Sequence, residues 1–238
     1  MIFYLFNLFN PILIAAAVIP AVFLMIKIYR ADKLEAESPR MLLQLAGLGV
    51  LATVVAMILE QLGGYILPYL VRSEQSYEVL FYFVVVALSE EGAKYFFLKR
   101  RTWFSSDFNC QFDAVVYSAF VSLGFALAEN VGYVMRFGFG TALVRAVTAI
   151  PGHACFGVFM GAFYGIAKRY DNFGYPEKSR NARILSVLLP ALLHGAYDYI
   201  ATRAEAGYTV YFVLFVAVLF LTAFKLVQNL SKRDQYIY

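Results

Sequence analysis

Seven long apolar segments follow one another along the chain with only short polar connections between them. They run approximately over 5–28, 41–68, 78–98, 113–135, 141–167, 184–201 and 208–228. Each is near the length of roughly 20 residues that carries an α-helix across a hydrocarbon core. In lipid every backbone N–H and C=O needs an internal partner, so spans of this kind are helices. Composition agrees, with 61% hydrophobic and 15% charged residues where a soluble domain carries about 25% charge. One soluble core of this size cannot hide so much apolar side chain. A soluble enzyme, a nucleic-acid binder and a disordered chain are therefore disfavoured. The expected fold class is all-α: a polytopic membrane helical bundle of about seven transmembrane helices. It forms one membrane-embedded domain over 1–238, with its informative core at about 78–201.

The net charge of +4 does not point to nucleic acid, because the basic residues sit between the apolar segments. After segments one, three, five and seven come Lys27, Arg30, Lys33, Arg40, Lys99, Arg100, Arg101, Lys168, Arg169, Lys178, Arg180, Arg183, Lys225, Lys232 and Arg233. The alternate connections hold only Arg72, Arg136, Arg145 and Arg203. Lys and Arg collect in cytoplasmic loops, so this alternation predicts a cell-membrane protein with its N-terminus outside and its C-terminus in the cytoplasm. The first basic residue is Lys27, so no cleavable signal peptide is expected. Cys110 and Cys155 stand far apart and suggest neither a disulfide nor a CxxC metal site. Ser38-Pro39 reads as a cap and first-turn proline for the second helix. Gly138-Phe139-Gly140 and Gly207 mark turns, and Pro11 and Pro20 can shorten or kink the first helix.

The chemistry lies in the ionisable residues inside the spans. Glu90, Glu91 and Lys94 fall in the third segment, and Glu129 and Asn130 in the fourth. His153 belongs to the fifth, at a Pro151-Gly152-His153 turn, and His194 and Asp198 to the sixth. A charge near the bilayer centre costs about 2.5–3.5 kcal/mol on insertion scales, so such groups persist by pairing, by meeting water or by working. At 1.5 Å per residue, Glu90 and His153 lie about 18 Å below the outer starts of their helices and His194 about 15 Å from its inner start. All three then reach mid-depth, with Glu129 and Asp198 nearer the outside. Glu90 and Glu91 stand four and three residues before Lys94, so either can reach its ammonium; adjacent residues diverge, which leaves the other carboxylate free. Asp198 follows His194 by four and can fix its tautomer. Pro190 can kink the sixth helix and open its backbone to water.

Plainer roles stand beside these. The acidic pair with Lys94 can be a packing ion pair, Glu129 an interhelical hydrogen-bond partner, Asp113 an N-cap and Glu60 an interfacial residue. Gly157, Gly161 and Gly165 form a small-residue ladder. Ser118, Ser122 and Ala126 form a second, and facing ladders would set His153 beside Glu129.

The same residues carry a resemblance. Glu90-Glu91-Gly92-Ala93-Lys94 is an EExxK motif, and Phe112-Asp113-Ala114-Val115-Val116-Tyr117 precedes Gly124-Phe125-Ala126-Leu127-Ala128-Glu129-Asn130. With His153, and with His194 followed by Asp198, this order resembles the PrsW family of membrane proteases, relatives of the CAAX-processing and bacteriocin-processing endopeptidases. Asp198 stands where the wider group has Asn, and Lys94 where relatives carry Arg one residue later. The resemblance implies an intramembrane endopeptidase acting on a membrane-protein substrate such as an anti-sigma factor, cut on its extracytoplasmic side.

The candidate catalytic residues are Glu90, Glu91, His153, His194, Asp198 and Glu129, with Lys94, Asn130 and Asp113 in support. Glu90 with His153 would deprotonate a water, and His194 held by Asp198 would stabilise the oxyanion or protonate the leaving amine. No cofactor is required on this reading. The alternative is a zinc protease with His153, His194 and Glu129 as ligands and water in the fourth place. A non-catalytic scaffold or a transporter is the reading from another class.

Overall fold

The structure is a computed structural model and describes residues 11–203 and 206–238. Its helices are α1 (Pro11–Tyr29), α2 (Pro39–Leu70), α3 (Glu74–Leu80), α4 (Ser89–Thr102), α5 (Asp113–Phe137), α6 (Phe139–Val147), α7 (Ala149–Asn172), α8 (Pro176–Ala201) and α9 (Ala206–Lys232). A π-helical segment, Phe81–Leu88, joins α3 to α4 without a break in helical backbone. Six stretches are long and apolar enough to cross a membrane: Pro11–Tyr29, Pro39–Leu70, Asp113–Phe137, Phe139–Asn172, Pro176–Ala201 and Gly207–Lys232. The continuous rod from α3 to α4 is the seventh element of the expected bundle, and Glu90, Glu91 and Lys94 interrupt its apolar run.

Several local expectations are corrected. The fifth segment breaks at Thr148 (φ −121°, ψ −73°) into α6 and α7. Pro151 then lies in the first turn of α7, where a missing N–H costs nothing, and His153 is helical rather than in a turn. The sixth begins at Pro176 rather than 184, with the proline again opening the helix. Ser38 is extended before Pro39, but its side chain makes no cap hydrogen bond. Phe112, not Asp113, is the N-cap of α5. Residues 5–10 of the first segment lie outside the described residues. Gly138 does turn the chain, with φ +83°.

The core forms around α5, which is buried along most of its length. Glycines set how closely its neighbours approach. A Cβ added at Gly124 of α5 would lie 2.1 Å from the Ala46 carbonyl oxygen of α2, and one at Gly49 of α2 would lie 2.0 Å from that of Val121. On the other side, Gly157 and Gly161 of α7 pack on Ser122 and Ser118 of α5, and Gly165 on Ala114 and Gln111. The expected ladders do face each other, joined by Ser118 Oγ donating to the Gly157 carbonyl at 2.7 Å. In contrast, α9 leaves Val213, Val218, Leu221 and Phe224 exposed, as a lipid-facing helix does.

The connections rich in Lys and Arg gather at one end of the bundle. There the tail after α9 clasps the loop before α5. Gln111 N–H donates to the Gln235 carbonyl at 3.0 Å and Ile237 N–H to that of Asn109 at 2.9 Å. Phe112 N–H reaches Asp234 Oδ1 at 2.8 Å. Asn109 Nδ2 also donates to Glu35 at 3.2 Å, and Lys168 Nζ to the Trp103 carbonyl at 2.9 Å. Cys110 and Cys155 are buried free thiols.

Candidate active site

At mid-bundle α4, α5, α7 and α8 bring their charged residues into one network. Lys94 is fully buried, and its ammonium has three donors. They reach Glu91 Oε1 at 2.7 Å, Glu90 Oε2 at 3.1 Å and His153 Nδ1 at 3.2 Å. The Phe125 ring lies beneath the same nitrogen, 3.9 Å from its centre. Both glutamates therefore reach Lys94, where the helical spacing alone left one of them free. Because an ammonium only donates, His153 Nδ1 accepts, and its Nε2 carries the hydrogen. That hydrogen points at Glu129 Oε2, 2.9 Å away. Both ring nitrogens of His153 are thereby occupied.

The network continues outward. Glu129 Oε2 accepts from Arg145 Nη2 at 2.7 Å, while Arg145 Nε donates to Asn130 Oδ1 at 3.0 Å. Asn130 in turn donates to the Ala17 carbonyl of α1 at 2.9 Å, which ties the site to the first helix. On the α8 side, His194 Nδ1 meets Glu91 Oε1 at 3.0 Å, with Glu90 Oε2 at 3.8 Å. Its Nε2 faces Asp198 Oδ2 at 3.4 Å. Phe156 stacks on the His194 ring with centroids 4.7 Å apart, and the two imidazoles stand edge to face at 5.1 Å. α8 comes this close because it crosses the π-helical segment at Gly195, where a Cβ would lie 2.6 Å from the Phe83 ring. An unpaired buried oxygen, Glu91 Oε2, remains behind the network.

A cavity of about 320 Å³ opens beside these groups. Its walls include Glu60, Glu90, Glu129, Arg145, His153, His194 and Asp198, with Tyr82, Tyr133, Phe156 and Tyr197 as aromatic surface. Glu90 faces the cavity, and Glu91 does not. Ala149, Ala201 and Thr202, also on its walls, belong to the end of the bundle poor in basic residues. Two wall residues escaped the sequence reading: Glu60, taken as interfacial, and Arg145, counted only as a loop charge. Their pattern of one acid or base near a helix end is shared by ordinary interfacial residues. Asp113 is not near this site; its carboxylate accepts the Asn109 and Cys110 N–H groups at the basic end.

Glu90, Glu91, His153 and His194 each offer a ligand atom, all within 4.8 Å of one another. Two imidazoles and carboxylates are a donor set that zinc accepts. Lys94 Nζ, however, stands among these atoms and bonds three of the four residues. Glu129 lies outside the group, on the far nitrogen of His153.

The profile of the PrsW family, described as intramembrane metalloproteases, matches residues 37–223. Protease PrsW of Geobacillus kaustophilus is 35% identical over 221 residues, 91% of this chain and 91% of its own length. Protease PrsW of Oceanobacillus iheyensis is 32% identical over 89% of this chain and 92% of its own length. Protease PrsW of Clostridioides difficile is 31% identical over 93% and 90%. No solved structure matches the chain. The matched span contains every charged residue of the intramembrane network, and the chain belongs to the PrsW family of intramembrane proteases.

Proposed function

We propose that this multi-pass membrane protease hydrolyses its peptide bond with a water activated by Glu90. The observation that carries this reading is the division of labour within the acidic pair. Glu90 faces the cavity, whereas Glu91 is sealed behind it against Lys94 and His194. Glu90 takes the proton as water attacks the scissile carbonyl. His194 is held by Glu91 on Nδ1 and lines the cavity, with Asp198 3.4 Å from Nε2 rather than hydrogen-bonded to it. That nitrogen stabilises the developing oxyanion and delivers a proton to the leaving amine. His153 has no free nitrogen for water, so it is a positioning residue that holds Lys94 and Glu129 in register.

A zinc ion and the Lys94 ammonium cannot share the space between the same donors. The residues do not fit a metal while Lys94 holds that place. The four-residue donor group is nonetheless what favours the second reading, a zinc site of Glu90, Glu91, His153 and His194. Chelator separates the two. Cleavage by the purified protein is expected to survive chelation. Stoichiometric zinc that disappears in both His153→Ala and His194→Ala would overturn the metal-free assignment.

The substrate on this reading is a membrane protein of the anti-sigma-factor kind, entering from the end poor in Lys and Arg. The charge bias assigns that end to the outside, which makes the cut extracytoplasmic. Mapping the cleavage site in a candidate single-pass substrate tests this: a cut on the cytoplasmic side of its span rejects it.

A further inference from the structure

A second group of buried acids sits at the opposite end of the molecule, outside the catalytic network. Asp113 and Glu129 are both on α5, sixteen positions apart, which is about 24 Å of helix. Asp32 from the α1–α2 connection, Glu37 just before α2 and Asp113 at the foot of α5 each bring a ligand oxygen within 4.8 Å of the others. Asp32 is 9% exposed, Glu37 6% and Asp113 0%. Among the described residues none of the three is in an ion pair. The neighbouring charges make matters worse, since Asp234 and Glu35 face Asp32, and Asp107 faces Glu37.

The unused oxygens point to a ligand. Both carboxylate oxygens of Asp32 and Oδ1 of Asp113 are shut off from the surface and have no hydrogen-bond partner. Asp113 Oδ2 accepts the Asn109 and Cys110 N–H groups. Buried carboxylates are ordinarily paired or coordinate a metal. The donors of the three acids are all oxygen, and hard divalent cations collect carboxylate oxygens, Ca²⁺ with six to eight ligands and Mg²⁺ with an octahedron that keeps waters.

We propose that Asp32, Glu37 and Asp113 bind a hard divalent cation of the Mg²⁺/Ca²⁺ class, which ties the α1–α2 connection to the foot of α5. The site is structural and separate from the catalytic centre. Burial first, and then the surrounding acids, push Asp32 up to about 6 and Glu37 to about 7, so the test is run at pH 8, where both are ionised.

Thermal unfolding of the purified full chain is measured after chelation and again with Ca²⁺ or Mg²⁺ added alone. At a hundredfold excess over Kd, the midpoint is expected to rise by about 5–10 °C with at least one of the two ions. Asp32→Asn keeps the side chain's shape and one acceptor oxygen for the neighbouring Leu34 and Glu35 N–H groups, so it should fold, lose the rise and melt no lower than the parent under chelation. Glu37→Gln should lose the rise as well, whereas Glu90→Gln should keep it. Tb³⁺ emission excited through Tyr117, which lies beside Glu37, gives a readout that does not depend on unfolding; it should be displaced by Ca²⁺ and absent in Asp32→Asn. No rise with either ion overturns the proposal. So does a rise that survives in Asp32→Asn but vanishes in Glu90→Gln, which would place the ion in the membrane network.

Discussion

A single lysine organises the centre of this molecule. Lys94 spends all three of its donors on Glu90, Glu91 and His153, so removing it leaves buried carboxylates without a counter-charge. Breaking a buried pair in this way costs about 3–5 kcal/mol. Lys94→Met should accordingly unfold at markedly lower temperature in detergent, and a parent-like midpoint would contradict this account of the network. Glu90→Gln preserves shape and should fold normally while losing about 10²–10⁴ in cleavage rate. If Glu90 and His194 serve one step, adding His194→Ala should reduce the rate little further. At the other end, the raised Asp32 and Glu37 fix a sign. A carboxyl raised on folding contributes stability that is complete below its unfolded pKa and lost as pH rises through the folded one. Chelated protein should therefore lose stability between about pH 4 and pH 7, and Asp32→Asn should flatten that fall. The site was legible in the sequence where charges sat deep in apolar runs, as with Glu90, His153 and His194. Glu60 and Arg145 were not, because near a helix end the same residue types sit in water at little cost, and only their packing turns them toward the cavity.

At the scale of helices, glycine spacing makes the most exact claims. Gly124→Ala would drive a Cβ into the backbone of Ala46, and a carbonyl in a packed helix has nowhere to move. Gly47, by contrast, has nothing within 4 Å of an added Cβ, and alanine is the better helix former. Gly124→Ala should reduce the yield of folded protein sharply while Gly47→Ala leaves it unchanged or improved, as size-exclusion recovery would report. Gly161→Leu should likewise abolish folding, since even a Cβ there meets Ala114 and Val115 backbone at 2.5 Å. Normal recovery and normal cleavage by that variant would refute the packing of α5 on α7. The apolar runs and small-residue ladders announced these helices. The π-helical segment over Phe81–Leu88 and the break at Thr148 left no such trace. Both are local backbone adjustments that tertiary contacts impose, and no residue type in either stretch demands them.

For the whole molecule, the alternation of basic connections implies that both ends are chemically distinct, and the structure does gather those connections together. Lys178→Cys tests the orientation: it should react with an impermeant maleimide only from the cytoplasmic side. The native thiols need not be removed first, since burial pushes Cys110 up to about 12 and Cys155 is buried too. Labelling from outside would invert the topology. The order of the helices was readable from the chain, whereas the clasp between its tail and the loop before α5 was not. That clasp also carries a consequence for how the protein is made. The bond from Phe112 to Asp234 joins residues 122 positions apart, so the loop is translated long before its partner emerges. Six spans can be threaded into the bilayer while Gln111 and Phe112 still await their acceptors. A message cut short between residues 232 and 234 releases a chain whose membrane helices are all present but whose basic end stays unlatched. Surveillance proteases working at that face would meet an open loop in the unfinished protein and a closed one in the finished protein.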